Sequence, residues 1–116
     1  EMARLKKSQG NESLTKGKAA ADYARAARRY RVGMETLDAL LATDAELAPD
    51  VRSQADETLM ALRLNAAQAE LRREHWSEAV ALCDVVLQGG DNTKAYYRRG
   101  MARAQLDDLD GAVEDL

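Results

Sequence analysis

The sequence predicts an all-α fold, a superhelical stack of three helix-turn-helix repeats whose first repeat has extended helices. Three observations predict it. The chain of 116 residues is 46% hydrophobic and 32% charged, yet only 4% aromatic, with no Phe. A composition rich in Ala, Leu, Arg and Glu and poor in β-branched and aromatic residues favours helix throughout. Seven Gly and one Pro are too few to punctuate an all-β domain. The third observation is an internal repeat.

Displacing the C-terminal half by 33 residues lays Asn65 on Arg98, Ala67 on Gly100, Trp76 on Leu109, Ala79 on Ala112 and Cys83 on Leu116. These pairs describe one unit. A small residue in a first helix lets two antiparallel helices approach closely. A large apolar residue then opens the second helix, and a small residue faces back. A period near 34 built from such hairpins is the tetratricopeptide signature. The N-terminal third carries a degenerate copy, with Gly10 in the small-residue place and an Ala26–Tyr30 pair in the second helix.

Taken in order, helices are expected at 2–15, 18–43, 50–73, 76–88, 92–105 and 108–116. Turns are expected at Lys16-Gly17, Ala48-Pro49-Asp50, His75, Gly89-Gly90-Asp91 and Asp107, where Gly, Pro and Asp interrupt the helical pattern. The reading is one domain over 1–116: repeat one at about 2–43, repeat two at about 50–88, and a truncated repeat three at about 92–116. A solenoid normally ends in a capping helix, so the chain reads as part of something longer. Met60, Leu62, Leu64, Leu71, Leu82, Val86 and Leu87 fall at helical spacing as core. Trp76 is expected to wedge between repeats, and Cys83 to be a small core residue.

Charge narrows the function classes. The net charge is −3, but residues 1–33 hold nine Lys and Arg against three Asp and Glu, whereas residues 34–61 hold one against seven. A basic third on an acidic protein, without interleaved aromatics, is a poor nucleic-acid footprint. No run of eighteen apolar residues suggests a membrane span, and the charged start is unlike a signal peptide. A lone cysteine fits a reducing compartment, so a cytoplasmic location is expected. Arg28, Arg29 and Arg31 read as a solvated face on the long second helix.

The first helices of successive hairpins line a concave groove. Toward it the sequence offers Lys7 and Asn11, spaced i,i+4 and so on one face. Asn65 follows, set inside the apolar run Leu62-Arg63-Leu64-Asn65-Ala66-Ala67, and then Lys94 and Arg98, again i,i+4. Singly, the lysines read as solvated surface residues and Arg98 as a partner for a nearby Asp. An Asn on an apolar helix costs helix propensity, so Asn65 is either a groove donor or a satisfied amide.

Lys7-Ser8-Gln9-Gly10-Asn11, Leu64-Asn65 and Lys94-Ala95-Tyr96-Tyr97-Arg98-Arg99-Gly100 resemble the dicarboxylate-clamp tetratricopeptide domains of heat-shock co-chaperones. The long first repeat and the stretch Trp76-Ser77-Glu78-Ala79-Val80-Ala81-Leu82-Cys83-Asp84 are most similar to the large immunophilins of FKBP and cyclophilin type, and to the aryl-hydrocarbon-receptor-interacting protein. The resemblance implies a clamp of Lys7, Asn11, Asn65, Lys94 and Arg98. It implies as partner the C-terminal Glu-Glu-Val-Asp tail of heat-shock protein 90, or of heat-shock protein 70. It also implies an isomerase-type domain outside these residues.

Elementary chemistry supports such a clamp. A chain ending in Asp presents two carboxylates on one residue. Two Lys, one Arg and two Asn supply donors and no competing charge. Each charge-assisted bond is worth roughly 1.5–3 kcal/mol before entropy costs, and a short peptide is expected to bind at about micromolar affinity, about −8 kcal/mol. The alternative is a generic repeat scaffold that binds an internal segment of some other partner.

No catalytic residue, cofactor, small-molecule substrate or metal is expected. No nucleophile–base pair or phosphate loop is visible, and one His with one Cys does not make a metal site. Asp107-Asp108-Leu109-Asp110 starts a helix, where carboxylates suit the positive end of the dipole, and lacks the ligand spacing of a calcium loop.

Overall fold

The computed structural model describes the backbone of residues 2–43 and 46–116 and the side chains of residues 17–42 and 46–116. The described chain is all-helical: α1 Met2–Thr43, α2 Pro49–Arg72, α3 Trp76–Gln88, α4 Thr93–Gln105 and α5 Leu109–Asp115. The last four fall within one or two residues of their expected bounds.

The N-terminal third corrects the expectation. The turn at Lys16-Gly17 is absent, and the helices expected at 2–15 and 18–43 are one helix of 42 residues. A lone Gly inside a helix costs only about 1 kcal/mol relative to Ala, and Lys18-Ala19-Ala20-Ala21 beyond it are strong helix formers. At roughly 1.5 Å per residue α1 is about 63 Å long, which sets the longest dimension of a molecule measuring 68 × 32 × 18 Å.

Local chemistry explains the other boundaries. Pro49 opens α2 in the first turn, where its missing N–H costs nothing, and Ala48 before it is extended at φ −57°, ψ 141°. Asp50 in the first turn and Arg72 in the last complement the helix dipole. Gly90 turns the chain between α3 and α4 at φ 134°, a conformation open to Gly. The Asn92 side chain caps α4 by accepting from the Ala95 N–H at 3.0 Å, and Asp108 caps α5 by accepting from the Gly111 N–H at 3.1 Å.

The 33-residue repeat is visible in backbone geometry. Glu74 and Asp107, at the two hairpin turns, are left-handed at φ 61° and 63°. The next residues, His75 and Asp108, have φ,ψ of −91°, 73° and −85°, 72°. The His75 N–H donates to the Glu70 carbonyl at 2.8 Å, and the Asp108 N–H to the Arg103 carbonyl at 2.9 Å. Hairpins α2–α3 and α4–α5 are therefore two copies of one unit.

Packing follows from small residues. Leu64, Ala67, Cys83, Val86 and Ala95 form the core, with Leu82 and Leu87 against it. Ala67, Ala79, Cys83, Ala95 and Ala102 are fully buried, as the repeat pattern requires. A Cβ on Gly100 would lie 2.8 Å from Leu116 Cγ, so α4 and α5 touch where the pattern asks for a small residue. On α1, a Cβ on Gly33 would lie 3.0 Å from Leu62 Cδ1, while Asp38 pairs with Arg63 at 3.3 Å. These contacts seat α1 against α2. Met60, expected in the core, is 41% exposed; its sulfur meets the Asn92 amide at 3.6 Å. Leu62 and Leu71 are half-buried.

Candidate functional site

Two interhelical contacts set the register of α4 on α2. Asn92 reaches Met60, and Arg98 reaches both Leu64 and Gln68. Residue numbers rise together, so the first helices of the two hairpins run parallel and share one face. Arg98 is the residue that joins them. Its Nη1 donates to the Leu64 carbonyl oxygen at 3.2 Å and its Nε to Gln68 Oε1 at 3.2 Å. Two of five guanidinium N–H donors are thereby fixed, and three remain among the described residues.

Asn65 lies three residues before Gln68 on α2, hence on the same helical face, and is exposed. Lys94, one turn before Arg98 on α4, is exposed as well. Three residues picked out by sequence thus belong to one α2–α4 face. Lys7 and Asn11 belong to the first turns of α1, and their side chains lie outside the described residues.

Beside Arg98 the face deepens into a recess of about 310 Å³ lined by Gln68, Leu71, Arg72, Trp76, Tyr97, Met101 and Gln105. Trp76, at the start of α3, lines it together with residues of α2 and α4. Tyr97 is 58% exposed. Among the described residues the lining of the recess combines apolar and aromatic side chains with two amides and Arg72, and no carboxylate. Its chemistry suits an anionic segment with an apolar side chain.

The neighbouring Arg99 does different work, because successive helical residues point about 100° apart. It holds Asp115 through two bonds, Nη2 to Oδ1 at 2.7 Å and Nε to Oδ2 at 2.9 Å, and Asp84 through Nη1 at 2.8 Å. Arg103 adds a bond to Asp115 at 3.0 Å. The Asp115 side chain is 2% exposed, and its hydrogen bonds from Arg99 hold its carboxyl below the usual range. This network ties α3, α4 and α5 together and was not legible in the sequence, because Asp84 and Asp115 lie 15 and 16 residues from Arg99. Tyr96 donates to Asp91 at 2.7 Å, which raises its phenol.

Cys83 is fully buried, and burial pushes its thiol from 9.0 up to about 11. It is a core residue, unsuited to act as a nucleophile. Whereas Cys83 was anticipated from the sequence, a second buried ionisable group, Glu70, was not. It accepts from Arg73 Nη1 at 2.9 Å and meets His75 Nδ1 at 2.7 Å.

No helix among the described residues is long and apolar enough to cross a membrane. No protein-family model matches this chain. Over 53 residues it is 38% identical to the peptidyl-prolyl cis-trans isomerase FKBP42 of Arabidopsis thaliana. That match takes in 45% of this chain and 14% of the relative, so the chain spans about a seventh of that protein's length. A large immunophilin is thus among the proteins this chain is similar to.

Proposed function

We propose that this chain is a tetratricopeptide module of a co-chaperone, one that binds the acidic C-terminal Glu-Glu-Val-Asp tail of heat-shock protein 90, or of heat-shock protein 70, through a carboxylate clamp. The observation that carries the reading is Arg98, held by the Leu64 carbonyl and Gln68 beside Asn65, with three donors unspent among the described residues. Lys94 and Arg98 would take the side chain of the last residue, and Asn65 the terminal carboxylate. Lys7 and Asn11 complete the clamp by resemblance to co-chaperone domains. The carboxylate-free lining beside Arg98 and the similarity to an isomerase of the FKBP type support it. The isomerase activity of a whole protein would lie outside these residues, and the module itself would be a cytoplasmic binding unit.

Amide-resonance mapping tests the proposal. Adding a peptide ending in Met-Glu-Glu-Val-Asp should shift resonances of Asn65, Gln68, Lys94 and Arg98 first. Shifts confined to the α1–α3 side would contradict it.

The continuity of α1 through Gly17 favours a second reading, a repeat scaffold that grips an internal segment with the α2–α4 face alone. Such a scaffold would bind equally well to a peptide with no free terminus.

A further inference from the structure

The α2–α3 turn gathers three potential metal ligands that lie apart in sequence pattern: Glu70 near the end of α2, His75 at the N-cap of α3, and Glu78 in its first turn. One oxygen from each carboxylate and one nitrogen of the imidazole all lie within 4.8 Å of one another. Glu70 is only 6% exposed, and its two oxygens face different partners. Arg73 holds Oε1 at 2.9 Å, which leaves Oε2 pointing at His75 Nδ1, 2.7 Å away. The His75 N–H bond to the Glu70 carbonyl, at 2.8 Å, fixes the two residues together.

We propose that Glu70, His75 and Glu78 bind a divalent transition-metal ion of the zinc class, which pins the α2–α3 hairpin at its turn. Oε2 and Nδ1 now lie within hydrogen-bond distance, 2.7 Å apart. Zinc bonds of about 2.0–2.2 Å at a tetrahedral angle separate such atoms by about 3.4 Å, so the pair must open by roughly 0.7 Å. His75 is 42% exposed at its side chain and Glu78 is exposed, so both have room to adjust while Glu70 stays anchored. Two carboxylates and one imidazole suit zinc rather than calcium or magnesium, which favour all-oxygen shells. Arg73 offsets part of the acidic charge. Arg31 lines a recess together with Glu70 and Glu78; it is exposed and can turn to solvent as the ion enters. Cys83, fully buried, does not compete.

His75 is the sole histidine of the chain, so its ring signals report the site directly. Zinc chloride should be titrated into the protein at neutral pH while the His75 imidazole nitrogen and proton resonances are followed. The expected result is a saturable shift of Nδ1 at micromolar zinc. Glu78→Gln should weaken it about tenfold or more, and Glu74→Gln, outside the cluster, should leave it unchanged. Immobile His75 signals up to millimolar zinc would overturn the proposal. So would an identical titration in Glu78→Gln, because that would mean the imidazole binds zinc alone.

Discussion

Glu74 and Asp107 stand 33 residues apart and share one left-handed backbone, φ 61° and 63°. Each ends the first helix of a hairpin and precedes the residue whose N–H returns to a carbonyl five residues back. A side chain in this conformation costs roughly 1–2 kcal/mol relative to glycine, less for Asp, whose short polar group tolerates it. Glu74→Gly should therefore raise unfolding stability by about 0.5–1 kcal/mol, with a smaller gain for Asp107→Gly. Urea denaturation measures both. A loss at both sites would mean that the turns do not hold this geometry.

Gly17 tests the continuity of α1. An added Cβ would meet nothing within 4 Å, and the residue sits inside a helix. Gly17→Ala should increase helical circular dichroism and stabilise the chain by up to about 1 kcal/mol. A hairpin turn at Lys16-Gly17 would give no gain or a loss.

Asp115 and Asp84 share Arg99 but differ in exposure, 2% against 47% at the side chain. Asp115→Asn removes charged hydrogen bonds to two arginines and should cost about 2 kcal/mol. Asp84→Asn, at a solvated pair, should cost under about 1 kcal/mol. The Asp115 carboxyl is held below its ordinary 3.8 in the folded state. Its contribution is thus present above about that pH and lost as pH falls through the lower folded value. Acid unfolding of wild type and Asp115→Asn should converge as pH falls well below the ordinary 3.8.

Cys83 gives the opposite sign. Its folded thiol lies at about 11 against an ordinary 9.0, so the folded state holds the proton more tightly. That contribution is whole below about 9 and is lost as pH climbs through about 11. Stability of wild type relative to Cys83→Ala should decline across that window. A disulfide-exchange reagent should label the native thiol only as fast as the chain opens.

Much of the fold is legible in the sequence because close helix crossings demand small residues. Ala67, Ala79 and Gly100 announce the repeat, and all three are buried. Gly17 misled for the same reason: it looks like a turn residue, yet its flanks are strong enough helix formers to carry the helix through. Met60 has the spacing of a core residue but lies on the flank that faces Asn92. That Asn65, Lys94 and Arg98 share one face was readable from their offset of 33 and their i,i+4 spacing. The grip of Arg98 on Leu64 was not, because a backbone carbonyl carries no sequence signal. Glu70, His75 and Glu78 escaped notice because the turn, rather than one helix face, brings them together.

On the proposed function, the α2–α4 face binds a free C-terminal carboxylate. Calorimetric titration with a peptide ending in Met-Glu-Glu-Val-Asp, beside its C-amidated twin, tests it most directly. The account predicts binding at about micromolar affinity for the free acid. Binding should fall at least about tenfold on amidation and again in Arg98→Ala, two losses of about 1.4 kcal/mol or more. Equal affinity for both peptides, or no heat with either in a folded helical sample, would contradict it.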